Sequence, residues 1–220
     1  MKLLYLTAVL SVMLSATACA QEKGDLTVKW GAAFIKPNDD SSELATIPNS
    51  GVSVTSESTI GFSFDYRISS RWSVELLGIM PSNHELNGQG GLVDVGVNEV
   101  AVLNVLPPTL TLKYHYLDSA KFRPFIGAGL NYTFFMDKDV NNDTTTALGD
   151  TKLEADDSVG LALQAGFDIE LGEDWLLTTS VWYIDIDTDA TLRTGSTRRD
   201  IDIDIDPWVI FVGTGKRFNL

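Results

Sequence analysis

The sequence predicts an all-β fold: an eight-stranded antiparallel transmembrane β-barrel with short periplasmic turns and longer extracellular loops. Apolar and polar residues alternate with a period of two over long stretches, which is a strand signal and not a helical one. Past the N-terminal segment no apolar run is long enough for a membrane helix, and a barrel strand needs none. Connections between the candidate strands are alternately short and long, as outer-membrane barrels build them.

The N-terminus sets the compartment. Lys2, the mostly apolar Leu3 to Ala18, and the small-residue site Ala18-Cys19-Ala20 read as a secretory signal peptide over 1–20, leaving 21–220 as one barrel domain. Ala16 stands where a lipoprotein signal usually has a large aliphatic residue, which argues against a lipid on Cys19. Cys19 is the only cysteine, so the mature chain has neither disulfide nor thiol chemistry. A net charge of -14 argues against nucleic acid as a partner. Such acidity often marks disorder, but 44% of the residues are hydrophobic and the chain can bury surface.

The strands are expected at 25–36, 55–69, 71–82, 99–117, 121–137, 156–171, 174–190 and 199–218. In the second, Ile60, Phe62, Phe64, Tyr66 and Ile68 alternate with Thr59, Gly61, Ser63, Asp65 and Arg67. In the fourth, Leu110, Leu112, Tyr114 and Tyr116 alternate with Thr109, Thr111, Lys113 and His115. The fifth is apolar at even positions from Phe122 to Phe134, between Arg123, Gly127, Gly129, Asn131 and Thr133. The sixth sets Val159, Leu161, Leu163 and Phe167 against Gly160, Gln164, Asp168 and Glu170. The last two are rich in aromatics, from Trp175, Trp182 and Tyr183 to Trp208 and Phe218. Ser69-Ser70, Asp118-Ser119-Ala120 and Gly172-Glu173-Asp174 are the short turns. The links near 37–54, 83–98, 138–155 and 190–198 are long and polar. A soluble lipocalin-like barrel has no reason for that asymmetry.

If the apolar faces meet lipid, the interleaved residues face the lumen. Lys29, Asp65, Arg67, Glu75, Lys113, Arg123, Asp168, Glu170 and Arg217 then gather at the end of the short turns. Eight strands enclose only enough room for side chains, and unpaired buried charge is very costly. These residues are therefore expected to form a salt-bridged plug that closes the lower lumen. Higher up, both parities are apolar, as at Phe34, Leu76, Phe134, Trp182 and Ile184, which suggests an apolar pocket open to the outside. Pro107 and Pro108 remove two ladder donors, which marks a strand start, a bulge or a weak seam in the wall.

Other motifs carry less. Ser82 lies near His84, one of two histidines, but no triad spacing supports a nucleophile, and no enzyme activity is expected. His115 is expected in the lower polar network. Asp200, Asp202, Asp204 and Asp206 share one strand face and follow a strand carrying Asp185, Asp187 and Asp189. Antiparallel pairing would bring the rows together, where a divalent cation can relieve the repulsion; otherwise they are a solvated outer face.

The second half of the chain resembles the OmpW family of small outer-membrane β-barrels. The resemblance rests on Leu106-Pro107-Pro108-Thr109-Leu110, Pro124-Phe125-Ile126-Gly127-Ala128-Gly129-Leu130-Asn131-Tyr132, Gln164-Ala165-Gly166-Phe167-Asp168, Asp174-Trp175-Leu176-Leu177, Ser180 to Thr188, and Asp206-Pro207-Trp208-Val209. It implies a hydrophobic channel in the outer membrane of a Gram-negative bacterium, with small hydrophobic solutes leaving sideways into the bilayer. Two departures stand out: Val159 occupies a position that is often Trp in the family, where the smaller side chain is expected to widen or reshape the pocket or its opening, and Asn219-Leu220 follow the terminal aromatic Phe218. The expected partners are outer-membrane lipid, lipopolysaccharide and small hydrophobic solutes, with no cofactor and no metal. The alternative is a structural or interaction barrel whose acidic loops bind lipopolysaccharide, cations or an outside partner.

Overall fold

The computed structural model of the chain describes residues 23–38, 40–44, 47–117 and 121–220. The signal peptide expected at 1–20, with Cys19, and the turn at 118–120 lie outside the described residues. In chain order the strands are β1 (Leu26–Lys36), β2 (Asp40–Ser41), β3 (Ser50–Val54), β4 (Glu57–Arg67), β5 (Trp72–Ile79), β6 (Ser82–Gly90), β7 (Glu99–Leu106) and β8 (Thr109–His115). There follow β9 (Phe122–Val140), β10 (Thr151–Ala155), β11 (Ser158–Gly172), β12 (Trp175–Ile184), β13 (Asp187–Thr194), β14 (Thr197–Asp204) and β15 (Trp208–Phe218). Two short helices, α1 (Gly91–Asp94) and α2 (Asn142–Leu148), sit in the long connections.

Eight strands close the barrel in the order β1, β4, β5, β8, β9, β11, β12, β15, every neighbour antiparallel. The last strand pairs with the first from Leu26↔Phe218 to Lys36↔Trp208, so no barrel edge is left to recruit another chain. The expected faces follow from the pleat. Leu110, Ile126, Leu130, Leu161 and Ile210 point outward and are exposed to the surroundings, whereas Thr111, Lys113, Asn131, Gln164 and Asp168 are buried inside. Aromatic contacts mark two levels. Trp72–Tyr114, Trp30–Trp175 and Phe122–Phe167 lie toward the short turns, and Tyr132–Phe134 and Tyr183–Trp208 lie toward the loops. Belts of this kind bracket the hydrocarbon of an outer membrane.

Local chemistry sets the ends. The turn from β11 to β12 takes Gly172, Glu173 and Asp174 through positive φ of 99°, 51° and 66°, and glycine opens this left-handed run without a Cβ penalty. Gly31 is paired with Gly61 on one side and Gly213 on the other. A Cβ on Gly31 would stand 2.2 Å from the Val212 carbonyl oxygen, so the close approach of these strands requires glycine there.

The strands outrun the membrane, and here the sequence boundaries are corrected. The expected strand 71–82 breaks at Met80-Pro81 into β5 and β6, and 99–117 breaks at Pro107-Pro108 into β7 and β8. Proline gives no N–H to a ladder. The expected strands 174–190 and 199–218 break as well, between Ile184 and Asp187 and between Asp204 and Trp208, and the links read as loops hold β2, β3, most of β6, β10 and the tip of the β13–β14 hairpin. Above the barrel the wall divides into two sheets. One continues β9 through β7 and β6 to β3, and the other runs β10, β13, β14, β2. A buried apolar cluster including Leu44, Val52, Leu86, Leu103, Leu153, Leu192, Ile201 and Ile203 fills the space they enclose.

Candidate functional site

Charge fills the lower lumen. Lys29 Nζ lies 3.2 Å from Asp65 Oδ2, 3.4 Å from Glu75 Oε1 and 3.4 Å from Asp168 Oδ1. Lys113 Nζ lies 2.7 Å from Asp65 and 3.1 Å from Glu75. Arg123 and Arg217 share Glu170, and Arg67 lies buried beside them, its guanidinium 3.5 Å from the Ser70 carbonyl. All nine residues read as lumen charges are buried. Sequence reasoning missed two members. Asp25, buried and 4.0 Å from Arg217 Nε, shares the parity of Lys29 and was legible on that ground. Phe125 breaks the outward apolar pattern of its strand, and its ring lies 3.7 Å beneath Lys113 Nζ, a cation–π contact. With Asp25, the cations Lys29, Arg67, Lys113, Arg123 and Arg217 face Asp25, Asp65, Glu75, Asp168 and Glu170, five against five. A neutral, interlocked set is the arrangement that a low-dielectric interior tolerates. His115 is fully buried at this level, its Nε2 3.0 Å from Ser73 Oγ.

A neutral polar layer follows. Gln164 donates to Thr111, Asn131 donates to Thr109 Oγ1 at 2.9 Å, and Thr133 donates to Asn131 at 2.6 Å. Trp182 closes it, with its indole N–H 2.9 Å from Ser180 Oγ.

Above Trp182 the lining turns apolar. Ile35, Ile79, Leu103, Val105, Ile184 and Val209 surround a cavity edged by Pro37, Pro107 and Pro207. It is narrow: only about 30 Å³ of it admits the centre of a water molecule. Of the residues expected to line a pocket or opening, Ile184 and Pro107 lie on this cavity, Trp182 is buried within the barrel, and Pro108 adjoins it in sequence. Phe34, Leu76, Phe134 and Val159 do not line it. They are 47%, 43%, 39% and 67% exposed and face outward, because each shares its strand's lipid-facing parity. Their inner neighbours Ile35, Leu77 and Phe135 are buried instead.

The wall beside the cavity has a seam. Pairing of β5 with β8 ends at Leu77↔Thr109, and pairing of β6 with β7 begins at Ser82↔Val105. Residues 78–81 stand against 106–108, one extra residue on the first side, with Pro81, Pro107 and Pro108 among them. The cavity residues Ile79, Ser82, Val105 and Pro107 lie at this seam. Sequence reasoning placed Pro107 there but not Ser82 or Pro207, which line the same space; a proline entering β15 was the available signal for the second.

The acidic rows meet as expected, Asp187 opposite Asp204 and Asp189 opposite Asp202. The carboxylates of Asp185, Asp187 and Asp206 lie within 4.8 Å of one another. Partial desolvation of the exposed Asp187 carboxyl, then repulsion from Asp185, Asp204 and Asp206, raises it above its ordinary value. Arg198 offsets part of the row through Asp200 at 2.6 Å.

A closed eight-stranded barrel with an apolar outer band, aromatic belts and a charge-filled floor defines a small outer-membrane β-barrel protein. The chain belongs to the OmpW family, whose model matches residues 22–218. It is 36% identical over 212 residues to Outer membrane protein W of Vibrio cholerae, covering 96% of each chain. Its fold matches the crystal structure of the outer membrane protein OprG from Pseudomonas aeruginosa with a TM-score of 0.84 at 33% identity, over 91% of this chain and 99% of the other. It is also similar to the Dibenzothiophene metabolism operon protein PahQ of Pseudomonas aeruginosa, 25% identical over 173 residues, 78% of this chain and 77% of the relative. The protein resides in the outer membrane of a Gram-negative bacterium.

Proposed function

We propose that the barrel is a passive outer-membrane channel for small hydrophobic molecules, which enter from the loop end and leave sideways into the bilayer. The observation that carries this reading is an apolar cavity set above a charged floor and beside a proline-marked seam in the wall. Apolar solute gains by leaving water for the cavity. Crossing the floor would bring it against buried ion pairs that water has already left, whereas the seam leads to hydrocarbon. The name of the relative PahQ supports the same solute class, since dibenzothiophene is an apolar polycycle. No cofactor and no energy source enter this mechanism, and the protein acts on no bond of its solute.

The test is uptake of a labelled small hydrocarbon by cells with and without the protein, beside ion conductance of the purified barrel in a planar bilayer. Faster uptake with little steady current is the expected result. No effect on uptake would favour the second reading, a structural barrel whose acidic rim meets lipopolysaccharide through divalent cations. The convergence of Asp185, Asp187 and Asp206 is the observation that favours it.

A further inference from the structure

The cavity has two polar side chains among its otherwise apolar lining, Ser82 and His84, and their bonding is one-directional. His84 Nδ1 lies 3.2 Å from the Thr55 carbonyl oxygen. A carbonyl only accepts, so Nδ1 carries the proton. In the neutral ring Nε2 is then bare, and Ser82 Oγ, 3.0 Å away, must donate its hydroxyl proton to it. His84 lies above the lipid band, since its outward neighbours Asn83 and Glu85 are exposed and polar. Burial holds its imidazole below the ordinary value, which keeps the ring neutral.

Ser82 therefore presents lone pairs, and no hydrogen, to the cavity. A hydrocarbon chain ending in a hydroxyl can donate to it. A ketone or ester oxygen would meet another acceptor, and a carboxylate or ammonium would bring an unpaired charge into an apolar space at high cost. A nucleophilic role is disfavoured by the same surroundings. The other lining side chains are apolar and supply no side-chain donor for a developing oxyanion.

We propose that Ser82, oriented by His84, is a specificity-determining anchor at the seam that favours linear amphiphiles with a neutral donor head, the n-alkanol class. This rests on the transport reading above and names its preferred solute. The experiment compares barrel-dependent entry of labelled 1-octanol, 2-octanone and n-octane into cells carrying the full-length protein, the double variant Ser82→Ala with His84→Leu, or His84→Leu alone. Octane entry serves as the internal control for an intact passage. In Ser82→Ala with His84→Leu, which removes both the hydroxyl and the imidazole acceptor behind it, the octanol-to-octane ratio is expected to fall by about five- to tenfold, the scale of one neutral hydrogen bond. In His84→Leu the hydroxyl proton is released to face the cavity, so the ketone-to-alcohol ratio is expected to rise. Unchanged ratios in both variants would overturn the anchor while leaving the channel standing. A wild-type barrel that speeds none of the three solutes would overturn the transport reading, and the anchor with it.

Discussion

At the scale of single residues, the floor and the strand crossings make different demands. Lys113 holds both Asp65 and Glu75 in a space closed to water. Lys113→Met keeps the stem and removes the charge, leaving two carboxylates with Lys29 alone between them. The expected loss is about 3–5 kcal/mol, read from urea unfolding of the barrel refolded in vesicles. The pair variant Lys113→Met with Asp65→Asn should recover part of that loss, since the cost lies in the uncompensated charge and not in the absence of the pair. Gly31 is constrained by shape alone. Gly31→Val would drive its side chain into the Val212 carbonyl and the Gly213 backbone, with an expected cost of about 1–3 kcal/mol in the same assay.

At the scale of elements, the seam and the acidic hairpin each carry a consequence. Pro107→Val with Pro108→Thr restores two N–H donors where β7 meets β8, tightening the wall beside the cavity. Unfolding should then require more urea while hydrocarbon entry slows; unchanged entry would place the exit elsewhere. In the β13–β14 hairpin, Asp187 binds its proton more tightly folded than unfolded, because partial desolvation and its acidic neighbours disfavour the anion. Its contribution to stability is therefore present below the ordinary carboxyl value of 3.8 and lost as pH rises through the raised folded value. Asp187→Asn should raise the thermal midpoint at neutral pH and leave it unchanged in acid. How far these elements were legible in the sequence depended on whether one face was polar. Between Thr109 and His115, or Val159 and Glu170, the parity of polar residues fixed both strand and face, and the nine charges of the floor could be named from it. Near Phe34-Ile35 and Leu76-Leu77 both parities are apolar, so periodicity cannot say which side is in. The inner members line the interior and the named outer ones meet lipid. Above the membrane, β2, β3, most of β6, β10 and the tip of the β13–β14 hairpin were read as loops because Asn, Asp, Gly, Ser and Thr are frequent there, and their pairing is set by tertiary context.

At the scale of the whole molecule, the chain separates its charge from its apolar cavity. The floor groups are balanced five against five, so the net charge of -14 is carried outside it. An ion approaching from the loops meets an acidic rim, then an apolar cavity that barely admits water, then a floor without spare charge. An apolar solute meets only the last of these as a barrier, and the seam lies before it. Removing the floor separates sideways from straight-through release. With Lys29, Asp65, Glu75 and Lys113 all replaced by Ala, two cations and two anions leave together and the remaining floor groups stay balanced. The vacated space is polar-edged and fills with water, so the planar-bilayer current should rise well above that of the wild type. If solute leaves through the seam, hydrocarbon entry should stay at the wild-type rate despite the open floor. If entry rises in step with the current, the floor was the gate for solute as well as for ions, and lateral release is wrong.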